Sequence, residues 1–172
     1  MREIVIRHAS PEDAAQIFDV RTTTWLSTYP NQRLGITIDL IRERFRDRKV
    51  GIAKQRSYLE NQDHTHTWVA TDDGVVVGFI VASIADGKQQ ILAAYVLPEY
   101  QGGGIGSRLM ETALEWIGPG TVEVHVAAYN QQAIDYYAKF RFELIGELEE
   151  DLIELPGGKV IPEVLMRREQ PV

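Results

Sequence analysis

Apolar residues change their spacing several times along the chain, and each change marks a new element. Ile4, Val5 and Ile6 form a short apolar run that predicts a strand. Ser10-Pro11-Glu12-Asp13 then carries the signals of a helix start, with Ser at the N-cap, Pro at the first helical position and acids near the positive end of the dipole. Ala14, Ile17, Phe18 and Arg21 to Trp25 continue that helix toward Pro30. Ile38, Ile41 and Phe45 recur at helical spacing from Thr37, which predicts a second helical region running toward Asn61, with Gly51 as its point of interruption. From Thr67 the residues turn β-branched: Thr67 to Thr71, Val75 to Ile84 and Gln89 to Val96 read as strands. Asp72-Asp73-Gly74 and Asp86-Gly87 separate them as hairpin turns, so an antiparallel meander is predicted. Ile105, Leu109, Ala113 and Trp116 restore helical spacing until Gly118-Pro119-Gly120 stops it. Val122, Val124 and Val126 make a strand, Asn130 to Phe140 a helix, and Phe142 onward further strands turned at Pro156-Gly157-Gly158. The unit from Gln89 to Val126 is expected to be a right-handed parallel crossover. The predicted class is α/β, a mixed sheet of antiparallel meander plus parallel crossover, flanked by helices.

Composition narrows the function without identifying it. A length of 172 residues predicts one domain, 1–172, and 44% apolar with 25% charged residues suits a buried core. The net charge of −7 argues against nucleic acid and against an anionic membrane surface as partners, and suits small cationic ones. Cysteine is absent, which excludes disulfides, thiolate zinc sites and a cysteinyl intermediate. No apolar run approaches the ~20 residues of a membrane span, and MREIVIRHAS lacks the apolar core of a leader, so the expected location is cytoplasmic.

The informative segment is Tyr95-Val96-Leu97-Pro98-Glu99-Tyr100-Gln101-Gly102-Gly103-Gly104-Ile105-Gly106-Ser107, a strand feeding a glycine-packed turn that opens a helix. Glycines allow positive φ and let main-chain N–H groups converge, and the helix N-terminus adds its own donors. This is chemistry for a phosphate or pyrophosphate. A P-loop would need a Lys that is missing here, and the dinucleotide fingerprint would need glycine where Ser107 stands, in a turn that does not follow a meander.

Gln101-x-x-Gly104-x-Gly106 after a strand ending in Val-x-Pro resembles the coenzyme-A pyrophosphate loop of the GNAT (Gcn5-related) N-acetyltransferases. Asn130-x-x-Ala133-Ile134-x-Tyr136-Tyr137-x-Lys139-x-x-Phe142 is similar to that family's later motif, and Val124-x-Val126 precedes it at the family's spacing. The resemblance reaches to about Phe142. Arg141 departs from it, standing just past the helix where the family usually has glycine; a left-handed residue there costs Arg roughly 1 kcal/mol, so an altered helix end is expected.

The resemblance implies acetyl-CoA as acetyl donor, no metal, and an amine acceptor that is either a small molecule or a peptide or protein. It implies that the strand through Tyr95 and Val96 splays from the Val122–Val126 strand, with the pantetheine arm in the gap. A main-chain N–H near Val96 would then polarise the thioester carbonyl. The donor site would comprise Tyr95, Val96, Gln101, Gly102, Gly103, Gly104, Ile105, Gly106, Ser107 and Asn130. Asn130 and Tyr137 are seven apart, about 10.5 Å along one helix face. Asn130 would reach the pantetheine amides or act as an N-cap. Tyr137 would protonate the leaving sulfur or anchor the helix in the core.

The general base is not identified by the resemblance. Gln89 and Gln90 stand on the strand where some members carry Glu, leaving His125, on a strand face with Glu123, or Glu99. His64-x-His66 supplies two metal-type ligands without a third. Trp25 and Tyr29 would border the amine pocket or belong to the core. With no cysteine, direct transfer in a ternary complex is expected. A catalytically silent acetyl-CoA sensor is the competing reading, and a homodimer is an open alternative to a monomer.

Overall fold

In the computed structural model the chain is described over residues 3–172; Met1 and Arg2, with which the expected domain 1–172 opens, lie outside the described residues. The strands are β1 (Ile4–His8), β2 (Thr65–Asp72), β3 (Val75–Ala85), β4 (Lys88–Val96), β5 (Gly120–Ala127), β6 (Glu143–Glu147), β7 (Ile153–Glu154), β8 (Val160–Ile161) and β9 (Glu163–Gln170). The α-helices are α1 (Ala14–Thr28), α2 (Ile38–Arg44), α3 (Arg48–Glu60), α4 (Ile105–Ile117) and α5 (Gln131–Lys139). A seven-stranded sheet runs in the order β1-β2-β3-β4-β5-β9-β6. Its neighbours are antiparallel except β4 and β5, which are parallel. The predicted α/β class, meander plus crossover, therefore holds. Pro156-Gly157-Gly158 turns only the small β7–β8 hairpin.

Both hairpins of the meander close as their sequences require. Asp73 and Gly74 have φ of 49° and 81°, and Asp86 and Gly87 have 52° and 75°. Two successive left-handed residues match the right-handed twist of the flanking strands. At the first helix, Ser10 N–H donates to Asp13 (2.8 Å), and Arg7 holds both oxygens of the same carboxylate at 2.8 Å.

The second helical region is two helices, and Gly51 does not break it. Thr37 caps α2 by accepting from Leu40 N–H, and Asp47 caps α3 by accepting from Val50 N–H (3.0 Å). α2 closes at Phe45, and the cap at Asp47 starts the next helix. Gly51 lies inside α3 because α3 crosses α1 there: a Cβ would stand 2.1 Å from Phe18 Cε2. The requirement is close approach between helices, not a backbone angle.

The two faces of the sheet carry separate cores. On one, Leu109, Met110 and Ala113 of α4 and Tyr137 of α5 pack against Ile80, Val122, Val124 and Met166. On the other, Ile17 and Val20 of α1 and Leu59 of α3 pack against Val69 and Phe79. Between them, β4 pairs with β5 only from Gln89 to Ile91, against Val122 to Val124. Immediately after Ile91 the β3–β4 register shifts, Val81 facing Ala93 and Ala82 facing Ile91, so Leu92 is an extra residue. Such a bulge bends its strand and strengthens the twist, and here it lies where β4 leaves β5.

Gly51→Ala tests the helix crossing. Alanine raises helix propensity by about 1 kcal/mol, but overpacking costs about 1–3 kcal/mol. Chemical denaturation should therefore show net destabilisation; a more stable variant would mean that α1 and α3 are not in close contact at this point.

Candidate active site

Beyond Ile91 the two parallel strands part, and a cleft of about 500 Å³ opens between them. Leu97 N–H donates to Val77 C=O on β3 (2.9 Å), whereas Val96 C=O accepts from the Gln101 side chain (2.9 Å). Main-chain direction alternates along a strand, so the polar groups of Val96 and Ala94 face the gap. Gln132 of α5 donates to Gln101 Oε1 (3.1 Å), clasping the cleft mouth from the opposite side.

The glycine turn leads from this gap into α4. Gly102 and Gly104 both have φ of 81°, with open space where a Cβ would stand. Gly104 is the N-cap of α4 and offers no side chain, so the first-turn N–H groups of Ile105, Gly106 and Ser107 lack a side-chain acceptor. Such orphan donors and the helix dipole favour an anion. Gly106 has a different reason: a Cβ there would come 3.3 Å from Tyr136, whose hydroxyl donates to Gly106 C=O (2.7 Å). Of the expected donor-site residues, Tyr95, Val96, Gln101, Gly102, Gly104, Gly106, Ser107 and Asn130 line the cleft. Gly103 is in the turn without lining it, and Ile105 is buried in the core below.

The far wall comes from β5 and α5. Asn130 Oδ1 accepts from Ala133 N–H (3.1 Å), which is an N-cap, while among the described residues no group accepts from its amide Nδ2. Tyr137 is buried (7% exposed) and lines the cleft, and among the described residues no group hydrogen-bonds its hydroxyl. Burial, then the neighbouring Tyr136 and Tyr95, pushes its phenol far above the usual tyrosine value, so it keeps its proton. The helix end that holds it closes in the ordinary way despite Arg141. Arg141 takes a φ of 63°, its N–H donates to Ala138 C=O (3.0 Å), and Phe142 N–H donates to Tyr137 C=O (3.2 Å). Phe142 packs on Tyr137 with ring centroids 5.6 Å apart, completing a Schellman closure. The altered end expected at Arg141 does not occur; the arginine accepts the strain.

The opening toward α1 is aromatic. Tyr29 lines the cleft together with Thr24 and Thr28, whereas Trp25 lies behind, buried, with its Nε1 donating to the Tyr95 hydroxyl (3.0 Å). Tyr129, which no motif singles out, donates to Tyr29 C=O (2.7 Å) and ties the turn after β5 to the end of α1.

His125 lines the cleft from the exposed face of β5. Its strand-face neighbour Glu123 is engaged by Arg167 at 2.6 Å. The acid diagonal to His125 across the β5–β9 pairing is instead Glu163, which faces Ala127. Glu163 is 5% exposed and accepts from Ile153 N–H (3.1 Å). Burial raises its carboxyl above the ordinary range, while the Ile153 N–H and His125 draw it down. Sequence could not flag it, because only strand pairing brings it to His125. Glu99 is not part of the lining, and Gln89 is spent on Ile117 and Pro119 carbonyls at the end of α4. His66 packs on Trp116 (4.4 Å) and His8 (5.7 Å), and among the described residues no three His, Asp or Glu side chains form a metal-binding group. No helix among them is long and apolar enough to cross a membrane.

Residues 24–142 match the family model described as the acetyltransferase (GNAT) family. An uncharacterized N-acetyltransferase of Archaeoglobus fulgidus is 35% identical over 101 residues, covering 53% of this chain and 69% of that protein. A peptidyl-lysine N-acetyltransferase of Salmonella typhimurium is 34% identical over 90 residues, covering 52% of this chain and 58% of its own length. The fold matches the PaiA N-acetyltransferase of Thermoplasma acidophilum, solved with coenzyme A, at a TM-score of 0.67 and 24% identity, covering 97% and 99% of the two chains. It also matches Ard1 of Thermoplasma volcanium at a TM-score of 0.66 and 25% identity, covering 98% and 99%.

Glu163→Gln keeps the oxygen that accepts from Ile153 but cannot ionise. A buried acid held above its ordinary value stabilises the fold fully below the unfolded value, and that contribution fades as pH rises through the raised one. Melting curves from pH 4 to pH 8 should therefore show Glu163→Gln gaining stability relative to the parent as pH rises; a constant difference would place Glu163 in water.

Proposed function

The chain belongs to the GNAT family of acetyltransferases, and from that premise we propose that it transfers an acetyl group from acetyl-CoA to a primary amine, directly and within a ternary complex. Residues 1–172 act in this reading as one cytoplasmic catalytic domain. The observation that carries it is the parting of β4 from β5 beside a helix N-terminus built on left-handed glycines. The first supplies unpaired main-chain groups for a pantetheine arm; the second supplies donors for a pyrophosphate. An amine acceptor is supported by the N-acetyltransferases among the relatives, one of which is a peptidyl-lysine enzyme.

Acetyl-CoA lies along β4 in this reading, with the main-chain groups of Ala94 pairing with its arm. Asn130 Nδ2 reaches an arm carbonyl while Oδ1 continues to cap α5. Its phosphates rest on the turn Gln101–Ser107. The amine enters from the α1 side past Tyr29, with Trp25 fixing Tyr95 behind it. Its lone pair forms the new C–N bond, and the carbonyl electrons move to oxygen, where Val96 N–H holds the charge. His125 takes the amine proton and passes it to solvent. The C–S bond then breaks, and its electron pair leaves on sulfur.

Tyr137 donates a hydrogen bond to that sulfur. Its raised pKa makes complete proton transfer to an ordinary thiolate, near 8.5, uphill. Transfer completes only as the same dry surroundings raise the basicity of the sulfur. The role is thus stabilisation of the departing thiolate first and protonation second.

Tyr137→Phe should lower kcat and kcat/KM together by about 10² to 10⁴ and leave acetyl-CoA affinity nearly intact. A folded variant with the parent kcat, when chemistry limits the rate, would remove the hydroxyl from the mechanism. Gly104→Val forces a β-branched residue into a positive φ beside the phosphate site, so calorimetry should show acetyl-CoA binding weakened about tenfold or more. Unchanged affinity in a folded variant would take this loop out of the donor site. Parallel-line initial-rate patterns would contradict the ternary complex.

A further inference from the structure

Among the described residues Arg21 has no carboxylate partner. Its guanidinium lies over the Phe79 ring, 5.3 Å from the centroid, and Phe79 in turn packs on Tyr95 at 5.5 Å. Its Nε is shut off from solvent and, among the described residues, has no hydrogen-bond partner. The ionisable groups that weigh most on it are Tyr95, Arg44, Tyr58 and Tyr29, none of them an acid, and burial lowers its pKa. Other arginines of this acidic chain are matched with carboxylates: Arg7 with Asp13, Arg48 with Asp19 and Arg167 with Glu123. Arg44, which bears on Arg21, also has no acid partner among the described residues; it donates to Glu154 C=O (2.8 Å) and lies over Trp25 at 5.0 Å. A guanidinium cannot shed its charge, and a ring face beneath it satisfies none of its in-plane N–H donors. Arg21 is half-buried, and shutting its Nε away from both water and an anion is costly.

The position of Arg21 tells where that anion comes from. Thr24 and Thr28 line the cleft, and Arg21, spaced to share their face of α1, stands one turn behind Thr24 outside that lining, over Phe79. Tyr95, the residue before Val96, also lines the cleft, and its hydroxyl accepts from Trp25 of α1. Arg21 is therefore on the acceptor side of the sheet, with α1 and α3, whereas the glycine turn feeds α4 on the opposite face. The phosphates of the donor are accounted for at that other end.

We propose that the acceptor is a small amino acid whose carboxylate is bound by Arg21 while its amine is acetylated. The inference rests on the acetyl-transfer reading and adds the chemical class of the acceptor. A guanidinium fork matches a carboxylate in two parallel hydrogen bonds, and the enclosure of Nε favours a small molecule over a protein side chain. It also runs against the overall charge of the chain, which by itself suits cations.

The test uses the full chain, acetyl-CoA, the proteinogenic L-amino acids and their carboxamides, read by thiol release. At least one free acid should exceed its carboxamide in kcat/KM by about tenfold or more, the scale of discrimination expected when a buried donor loses its partner. Arg21→Gln should bring that ratio close to one, and Arg21→Lys, which keeps the charge without the fork, should fall between. Carboxamides that match the acids in the parent enzyme, or a folded Arg21→Gln that keeps the parent ratio, would overturn the proposal. If Arg21→Gln does not fold, the parent ratio and Arg21→Lys still decide. If no amine is acetylated, the transfer reading fails separately, and thermal shifts with the same compounds decide the site. A shift by a free acid that Arg21→Gln abolishes sustains it, and no shift by any acid refutes it.

Discussion

A main-chain N–H or C=O that leaves its ladder must find another partner or stay wet, because an unpaired polar group in a dry place is too costly. The parting of β4 from β5 imposes that condition on the middle of the sheet, and the surrounding structure answers to it. Pro98, which has no N–H to satisfy, begins the short helical turn after β4. The Gln101 side chain covers Val96 C=O, and Gln132 holds Gln101 in place. The carbonyls and amides that remain are those a ligand can use. The cleft is thus a break in strand pairing whose edges have been finished with side chains.

The walls of the break are chemically quiet. Tyr29, Tyr136 and Tyr137 all have phenols raised by burial, so they line or back the cleft as neutral donors instead of charges. Trp25 uses its single N–H on Tyr95, and Tyr129 uses its hydroxyl on Tyr29 C=O. Neutral, well-anchored dipoles suit a reaction in which negative charge moves from carbonyl oxygen to sulfur, since they need little rearrangement as it moves. Ionisable groups stand at the margin, with His125 and buried Glu163 by β9 and Arg21 by α1.

Much of this was legible in the residues, for physical reasons that differ by element. Asp-Gly pairs read correctly as hairpins because only left-handed residues fit such turns. The glycine turn read correctly as a set of positive φ angles, although Gly106 serves helix packing and Gly103 serves neither purpose. Gly51 was misread because a glycine demanded by a neighbour's ring looks the same in sequence as one demanded by φ. Asp47, the true boundary, carried a legible capping signal that the hydrophobic spacing overshadowed. Leu92 sits in a uniformly apolar stretch, Ile91 to Val96, where nothing marks one residue as surplus. Glu163 and Arg21 are single charged residues whose meaning depends on partners brought near by pairing, or on the lack of any.

The surplus residue in β4 also bears on how such a site is inherited. Counting from Ile91, the bulge advances the strand by one place, so Ala94 and Val96 join the face of Ile91 where Ala93 and Tyr95 would otherwise fall. Which residue meets the α1 side is therefore set by chain length and not by side-chain identity. Point changes along β4 can alter what the cleft holds, but they leave the phase of the strand untouched. Gaining or losing a residue in this stretch would reset that phase.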